Sequence, residues 1–361
     1  MDFAFLINTL TKWDEPPRAR HQVAYALAKK HPVVFVSANR IGFPRFKKNQ
    51  VSDNLIVIIP YFWMDYRIRI RIPMVNSIYQ KWLFSRLRKT YQKVSVINFD
   101  FTARYLSKYF ASNIYYCNDD HVGMSYKNRP RWIADYHNIC EQEIAKNSKF
   151  CIATSGFLLE KLKKLNANSF EIRLGAPVVK HDQISSKKQN KDADLINVGF
   201  VGYYDTADLE IMGSLISKAD LFLTIVGPMS KKAMTKIMNL RNVRMTGNLT
   251  GQQLFDEVSK FDVGLIPYDL KSEIDRTPNK LWLYLSLGKP TVVSNVKGII
   301  NWEFPDKFVY RANDIAEFHD LIKKSCVEDD ESLAKQRIEF AENNSWDKRI
   351  EDFLSIYDKI I

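Results

Sequence analysis

At 361 residues the chain is about twice the length of an ordinary domain, so two domains are expected. Its composition is that of a globular protein, and its four cysteines, at 117, 140, 151 and 326, show neither CxxC spacing nor an even framework, which excludes a disulfide scaffold and points to reduced thiols in a cytosolic compartment. No stretch approaches 18 uncharged apolar residues, no signal peptide is visible, and the net charge of +12 lies in the first half: residues 1–180 hold 29 Lys/Arg against 13 Asp/Glu, residues 181–361 hold 24 against 28.

Such asymmetry points to a polyanionic partner of the first half, with solubility as the plainer explanation. In chain order, Phe3 to Ile7 reads as a strand, Arg18 to Lys30 as a helix, and Val33–Ser37 and Leu55–Ile59 as further strands, the alternation of a doubly wound domain. Arg18, Arg20 and His21 sit where they meet either solvent or an acidic acceptor. From Tyr61 to Lys93 there are eight Lys/Arg against the single acid Asp65, interleaved with aromatics. Alternation from Arg67 to Ile72 predicts an extended edge with one cationic face, and Val75 to Tyr91 a helix. Arg67, Arg69, Arg71, Trp82, Arg86 and Arg88 are the residues expected to meet an anionic membrane surface. Nucleic acid competes as a partner, but no helix-turn-helix, zinc or RNP pattern accompanies the charge, so none is expected.

Strands at Val94–Phe99 and Asn113–Cys117 end in Asp100 and in Asn118-Asp119-Asp120. Carboxylates at strand ends face the crevice of an open sheet, so Asp119 and Asp120 are candidates for the base that activates an acceptor hydroxyl, against the alternative of a helix cap. Asp100 stands in reserve. Helix 131–147, strand 150–153, helix 156–165 and strand 170–173 complete a first domain of residues 1–180, and the polar run Lys180–Asp194 reads as a hinge. A second domain, 181–345, alternates again, with Gly202 and Gly247 at strand ends and a last helix at 346–360.

The chemistry concentrates between Asp262 and Val293. Val263–Ile266 is a short buried strand, and Thr277-Pro278 predicts a helix start, with threonine as cap and proline in the first turn. That helix carries Lys280 in its first turn and ends at Gly288. Free amides, the positive end of the helix dipole, Arg276 and Lys280 together suit a phosphate or diphosphate. An ordinary βαβ turn with solvated charges is the plainer alternative.

Pro278-x-Lys280 running into Tyr284-Leu-x-x-Gly-Lys-Pro-x-Val-Val293 resembles the donor-site helix of bacterial GT-B glycosyltransferases of the family 4 type, in the teichuronic acid biosynthesis subgroup. Trp13, Arg18-x-Arg-His-Gln-Val-Ala-Tyr-Ala-Leu-Ala28, Tyr116-Cys-Asn-Asp-Asp120, Ala153-Thr-Ser155, Gly199-Phe-Val-Gly202, Ile225-Val-Gly-Pro228 and Asn242-Val-Arg-Met-Thr-Gly247 follow in that subgroup's order, so the resemblance spans nearly the whole chain. Family 4 enzymes usually carry two acids eight positions apart on this segment. Here the first falls on Asp275 and the second is Leu283, which cannot accept a ribose hydrogen bond. The xanthan glucuronosyltransferase is similar in lacking that acid, in its lysine at the helix start and in a tyrosine at the place of Tyr284.

The resemblance implies an α/β GT-B fold of two Rossmann-like, doubly wound parallel-sheet domains facing a cleft, the last helix crossing back to the first. It implies a glycosyltransferase that takes a nucleotide-diphosphate sugar as donor, needs no cofactor or metal, and acts at the inner face of the cell membrane on a lipid-linked saccharide in surface polysaccharide synthesis. Gly202, Tyr203, Gly247, Tyr268, Asp275, Arg276, Thr277, Pro278, Asn279, Lys280 and Tyr284 would then hold the donor. A nucleotide-sugar epimerase of the same architecture, or a non-catalytic scaffold or nucleic-acid-binding protein, are the alternatives.

Overall fold

A computed structural model of the protein describes residues 4–180, 195–204, 207–237, 240–270, 278–296, 299 and 303–361. The chain divides into two compact units, one of residues 1–174 with 346–361, the other of residues 175–345. Most of the polar run expected as a hinge lies outside the described residues.

The first unit runs β1 (Phe5–Asn8), α1 (Ala19–Ala28), β2 (Val33–Val36), β3 (Arg40–Ile41), β4 (Arg45–Ser52), β5 (Leu55–Phe62), α2 (Tyr66–Arg69), α3 (Pro73–Thr90), β6 (Ser95–Asn98), β7 (Asn113–Cys117), α4 (His121–Asn128), α5 (Arg131–Asn147), β8 (Phe150–Ala153), α6 (Gly156–Lys163) and β9 (Ser169–Glu171). Its sheet has the order β3-β5-β2-β1-β6-β7-β8-β9, with β4 antiparallel on β5 and every other pairing parallel. Uninterrupted apolar runs such as Val33–Val36 are buried on both faces, as central parallel strands must be when helices cover them. On one side, Leu83, Phe84 and Leu87 of α3 join the core beside Leu6 and Val96, each contributing about 1.5–3 kcal/mol by burial.

Two segments differ from the sequence-based expectation. β4 is an added edge strand whose polar, lysine-rich sequence carries no apolar alternation to announce it. Arg67–Ile72 is not an extended edge: Tyr66–Arg69 forms one helical turn, because the Asp65 carboxylate caps it by accepting the Arg67 amide at 2.9 Å. The turn is locked by Arg69, which is fully buried. Its Nε donates to Asn39 Oδ1 at 3.1 Å, its Nη1 to Asn76 Oδ1, and its guanidinium lies 3.7 Å from the centre of the Tyr79 ring.

The second unit runs β10 (Ile196–Val201), α7 (Leu209–Ile216), β11 (Leu221–Val226), α8 (Lys231–Ile237), β12 (Val243–Gly247), α9 (Gly251–Val258), β13 (Val263–Ile266), α10 (Asn279–Ser286), β14 (Thr291–Ser294), β15 (Val309–Ala312), α11 (Ile315–Val327) and α12 (Glu331–Asn343). Its strands are all parallel in the order β12-β11-β10-β13-β14-β15. The chain builds outward from β10 in one direction and then from β13 in the other, so the order reverses beside the carboxyl ends of these two strands. That is where an open α/β sheet leaves a crevice for a ligand. The last helix, α13 (Trp346–Ile360), belongs to the first unit and packs by α1, with Phe5 ring centroids 6.2 Å from Phe353 and 5.2 Å from Tyr357. No disulfide joins any of the four cysteines, all of which are described, and no described helix is long and apolar enough to cross a membrane.

Candidate active site

At the reversal point of the second sheet, α10 begins with Asn279. Pro278 occupies the capping position one residue later than expected, while Asp275, Arg276 and Thr277 lie outside the described residues. The dipole of this eight-residue helix favours an anion at its amino end, where the Leu281 amide donates to the Pro278 carbonyl at 3.1 Å. Lys280 stands in that turn. Its ammonium lies 4.2 Å from the centre of the Phe200 ring and 5.3 Å from that of Tyr268, two aromatic faces that hold a cation without neutralising it.

The strand ends around this ammonium are lined by glycine. Gly202 has φ +134°, and a β-carbon there would sit 3.4 Å from the Lys280 Nζ. On Gly227, with φ +136°, a β-carbon would come within 2.2 Å of the Gly202 carbonyl oxygen, so the tips of β10 and β11 approach this closely only because both residues lack one. The Gly202 amide donates to the Val226 carbonyl at 2.8 Å, and the Gly227 amide to the Gly247 carbonyl at 2.8 Å. Gly202, Gly227 and Gly247 thus form a low backbone shelf across three adjacent strands. Tyr203, 46% exposed, follows it, and the Tyr268 carbonyl is fixed by the Ser294 hydroxyl at 2.6 Å.

Tyr284 is placed otherwise than expected. It is fully buried, its ring lies so close over Gly264 that a β-carbon there would be 2.4 Å away, and its hydroxyl accepts the Val201 amide at 2.9 Å. It ties α10 to β10 and leaves none of its side chain at the surface; burial pushes its phenol far above the usual range. Without that hydroxyl the Val201 amide loses an acceptor, a cost of about 1–3 kcal/mol for a buried donor. Leu283 is also buried. What sequence reasoning missed is Phe200, the floor under Lys280. No local signal marked it, and only packing shows that its ring meets the cation.

In the first unit, the end of β7 presents Asn118, Asp119, Asp120 and His121. Asp120 caps α4, its Oδ1 accepting the Gly123 amide at 3.1 Å, and the same oxygen takes Lys161 Nζ at 3.0 Å. Lys161 also reaches Glu141 at 2.5 Å. Burial alone would lower this ammonium's pKa, but the Glu141 and Asp120 carboxylates raise it well above its ordinary value. These bonds commit Asp120 to structure, so the expected base role falls to Asp119. Asp100 is buried, with Thr102 Oγ1 and N on its Oδ1 at 2.7 and 2.8 Å, and burial raises its pKa.

Beside Asp119 lies a buried guanidinium. Arg20, 7% exposed, donates through Nη2 to Asn118 Oδ1 at 3.0 Å and to His121 Nε2 at 3.4 Å, while its Nε is buried without a hydrogen-bond partner. Burial, then Arg18, bring its pKa down to about 10. The imidazole of His121, stacked on Phe101 at 4.8 Å, is held neutral by burial and then by Arg20, with its pKa lowered to about 4. An unfolded chain takes up this proton near pH 6.5, whereas the folded one refuses it until about pH 4, so stability falls as pH drops through that window. His121→Gln is expected to remove on the order of 2 kcal/mol of that fall. Urea unfolding of both proteins at pH 7 and 4.5 checks it, and equal losses would contradict it.

Of the residues expected at a membrane, Arg67, Arg71, Arg86 and Arg88 are exposed on the surface. Arg69 is not among them, being the buried clamp described above. Trp82 is half-buried, its ring 5.2 Å from Phe46 and 5.9 Å from Phe62, so it seals α3 against β4 and β5. Among the described residues no group of three or more His, Cys, Asp or Glu is placed to hold a metal ion.

Comparison with known proteins agrees with this geometry. Residues 196–326 match a family model described as Glycosyl transferases group 1. No curated protein matches the chain by sequence. Among solved structures, sucrose-phosphate synthase from Thermosynechococcus elongatus is similar over 99% of both chains at 14% identity and a TM-score of 0.77. A structure described as trehalose-6-phosphate from E. coli bound with UDP-2-fluoro glucose is similar over 99% of both chains at 10% identity and a TM-score of 0.71. HepE of Anabaena in complex with UDP is similar over 98% of this chain and 100% of that one at 12% identity and a TM-score of 0.66. The fold is GT-B, and with a group 1 glycosyl transferase domain at residues 196–326 this chain is a glycosyltransferase.

Proposed function

We propose that the enzyme moves a sugar from a nucleotide-diphosphate sugar to a hydroxyl of a lipid-linked saccharide, as a peripheral protein on the inner face of a bacterial cell membrane during surface polysaccharide synthesis. The observation that carries the donor half of this reading is the Lys280 ammonium in the first turn of α10, beside a glycine shelf at the reversal point of the sheet. The UDP and UDP-glucose held by the Anabaena relative support a donor of this class.

In this reading the diphosphate lies against Lys280 and the start of α10, with Gly202, Tyr203, Gly247 and Tyr268 around the nucleotide. The acceptor oxygen bonds to the sugar's anomeric carbon, the bond from that carbon to the diphosphate oxygen breaks, and Asp119 receives the hydroxyl proton. Charge grows on the departing diphosphate as the bond breaks, and fixed cations and amides stabilise it most at that moment. This reading gives the neutralising role to protein cations and expects turnover without added metal. This reading keeps the family 4 type as its pattern, with Leu283 leaving the ribose to other groups. The basic first half, with Arg67, Arg71, Arg86 and Arg88 exposed, supports an acceptor held at an anionic surface.

A thermal-shift panel of nucleotide sugars tests the donor half. A ligand at 100 times its Kd stabilises the fold by about 2.7 kcal/mol, enough to raise the melting temperature by several degrees. Stabilisation by none of them, together with tight, steeply salt-dependent binding of RNA, would overturn the reading.

A further inference from the structure

The first unit exposes several large apolar side chains. Phe43 is 74% exposed and Ile41 65%, both in or beside the turn that joins β3 to β4. Trp63, 63% exposed, adjoins that turn, because the Gly42 amide donates to the carbonyl of the preceding Phe62 at 2.9 Å. Met74 and Ile78, one turn apart on α3, are 75% and 46% exposed. The Phe46–Trp82 ring contact packs one face of β4 against α3, so Arg45 and Lys47, which alternate with Phe46 along the strand, lie on the other face.

β4 carries cations on both of its faces, Arg45 and Lys47 on one and Lys48 on that of Phe46, where its ammonium lies 5.8 Å from the centre of the Tyr91 ring. Arg45, Lys47 and Lys48 are exposed, form no ion pair among the described residues, and have no acid among them between Arg40 and Ser52. Lysines on an open edge strand are ordinarily a guard against edge-to-edge pairing. The apolar tip beside them works against that purpose, since exposed Phe and Ile promote association. An apolar tip flanked by unpaired cations has instead the chemistry of an anionic bilayer, whose headgroups take the charges and whose acyl boundary takes the side chains.

We propose that the β3–β4 turn, with Ile41 and Phe43 at its tip, inserts into an anionic membrane while β4 and the start of α3 rest on the headgroups. This rests on the reading that the acceptor is membrane-held, and moves the main anchor to a turn outside the aromatic segment 61–93. Phe43 and Ile41 supply the salt-resistant part of the attachment and Lys47 and Lys48 the salt-sensitive part. Arg69, clamping α2 to Asn39 and α3, keeps the parts of this surface in register.

The test is flotation with vesicles of phosphatidylcholine alone or mixed with phosphatidylglycerol, at low and high salt. It uses the full-length protein, Ile41→Ser/Phe43→Ser and Lys47→Gln/Lys48→Gln, with the melting temperature and the UDP-induced thermal shift as a control for folding and donor binding. The wild type should bind mixed vesicles and not neutral ones. The Ile41/Phe43 variant should bind at least tenfold more weakly at every salt concentration. The Lys47/Lys48 variant should lose affinity at low salt and match the wild type at high salt. Wild-type affinity in the Ile41/Phe43 variant would overturn the proposal. So would failure of the wild type to bind either vesicle, a dimer in sedimentation that the same substitutions dissolve, or RNA binding without vesicle binding. The UDP-induced shift reports separately on the donor half, so loss of one reading leaves the other standing.

Discussion

Lys280→Ala is expected to weaken binding of a nucleoside diphosphate by about 1.5–3 kcal/mol, roughly ten- to 150-fold, the range for a hydrogen bond to a charged group. The ammonium is held over the faces of Phe200 and Tyr268, which position it at the helix start. Its loss removes a cation from a helix end that already favours anions and adds no steric obstacle. Calorimetry with UDP measures the effect, and an unchanged melting temperature of the unliganded variant separates it from unfolding. Gly202→Ala should reproduce part of the loss by another route, because the new methyl group reaches to 3.4 Å of the same ammonium from a backbone at φ +134°. Lys280→Ala with full affinity for UDP would remove the diphosphate from α10.

The second large effect separates two adjacent carboxylates. Asp119→Asn is expected to lower turnover by about a hundredfold or more, with affinity for UDP unchanged, because a general base contributes on that order and the donor binds in the other unit. Asp120→Asn should act on the fold instead. Asparagine still caps a helix well, but the amide no longer offers the carboxylate charge that Lys161 shares between Asp120 and Glu141. Its signature is a lower melting temperature with turnover largely retained. Steady-state kinetics on both variants, read beside their melting curves, decides between the roles, and near-normal turnover in Asp119→Asn would take the base away from this strand end.

Much of this architecture was legible because its parts are local. Short apolar runs bounded by Gly, Pro and acids announce parallel strands, and Pro278 followed by Lys280 announces a helix start with a cation in its first turn. Such signals depend only on neighbours along the chain. β4 escaped because an edge strand solvated on one side needs no apolar alternation, and Tyr66–Arg69 escaped because the Asp65 cap outweighed the alternation from Arg67 to Ile72. Arg69 and Trp82 read as surface residues since a charge or an indole usually is one. Their burial follows from Asn39, Asn76, Tyr79 and Phe46, distant in sequence and brought together only by the sheet.

The sequence by itself determined the two-unit α/β design, the basic character of the first half and the anion-favouring start of α10, because periodicity, charge and capping are set by residues within a few positions of one another. Tertiary structure alone decided which of two neighbouring aspartates is committed to Lys161 and that Tyr284 ties strands together. It alone brought Gly202, Gly227 and Gly247 into one shelf beside Lys280 and set Trp63 beside the turn that carries Ile41 and Phe43. Each of these depends on how strands far apart in the chain lie side by side, and that order is fixed by packing and by the reversal of winding within each sheet, which no local pattern encodes.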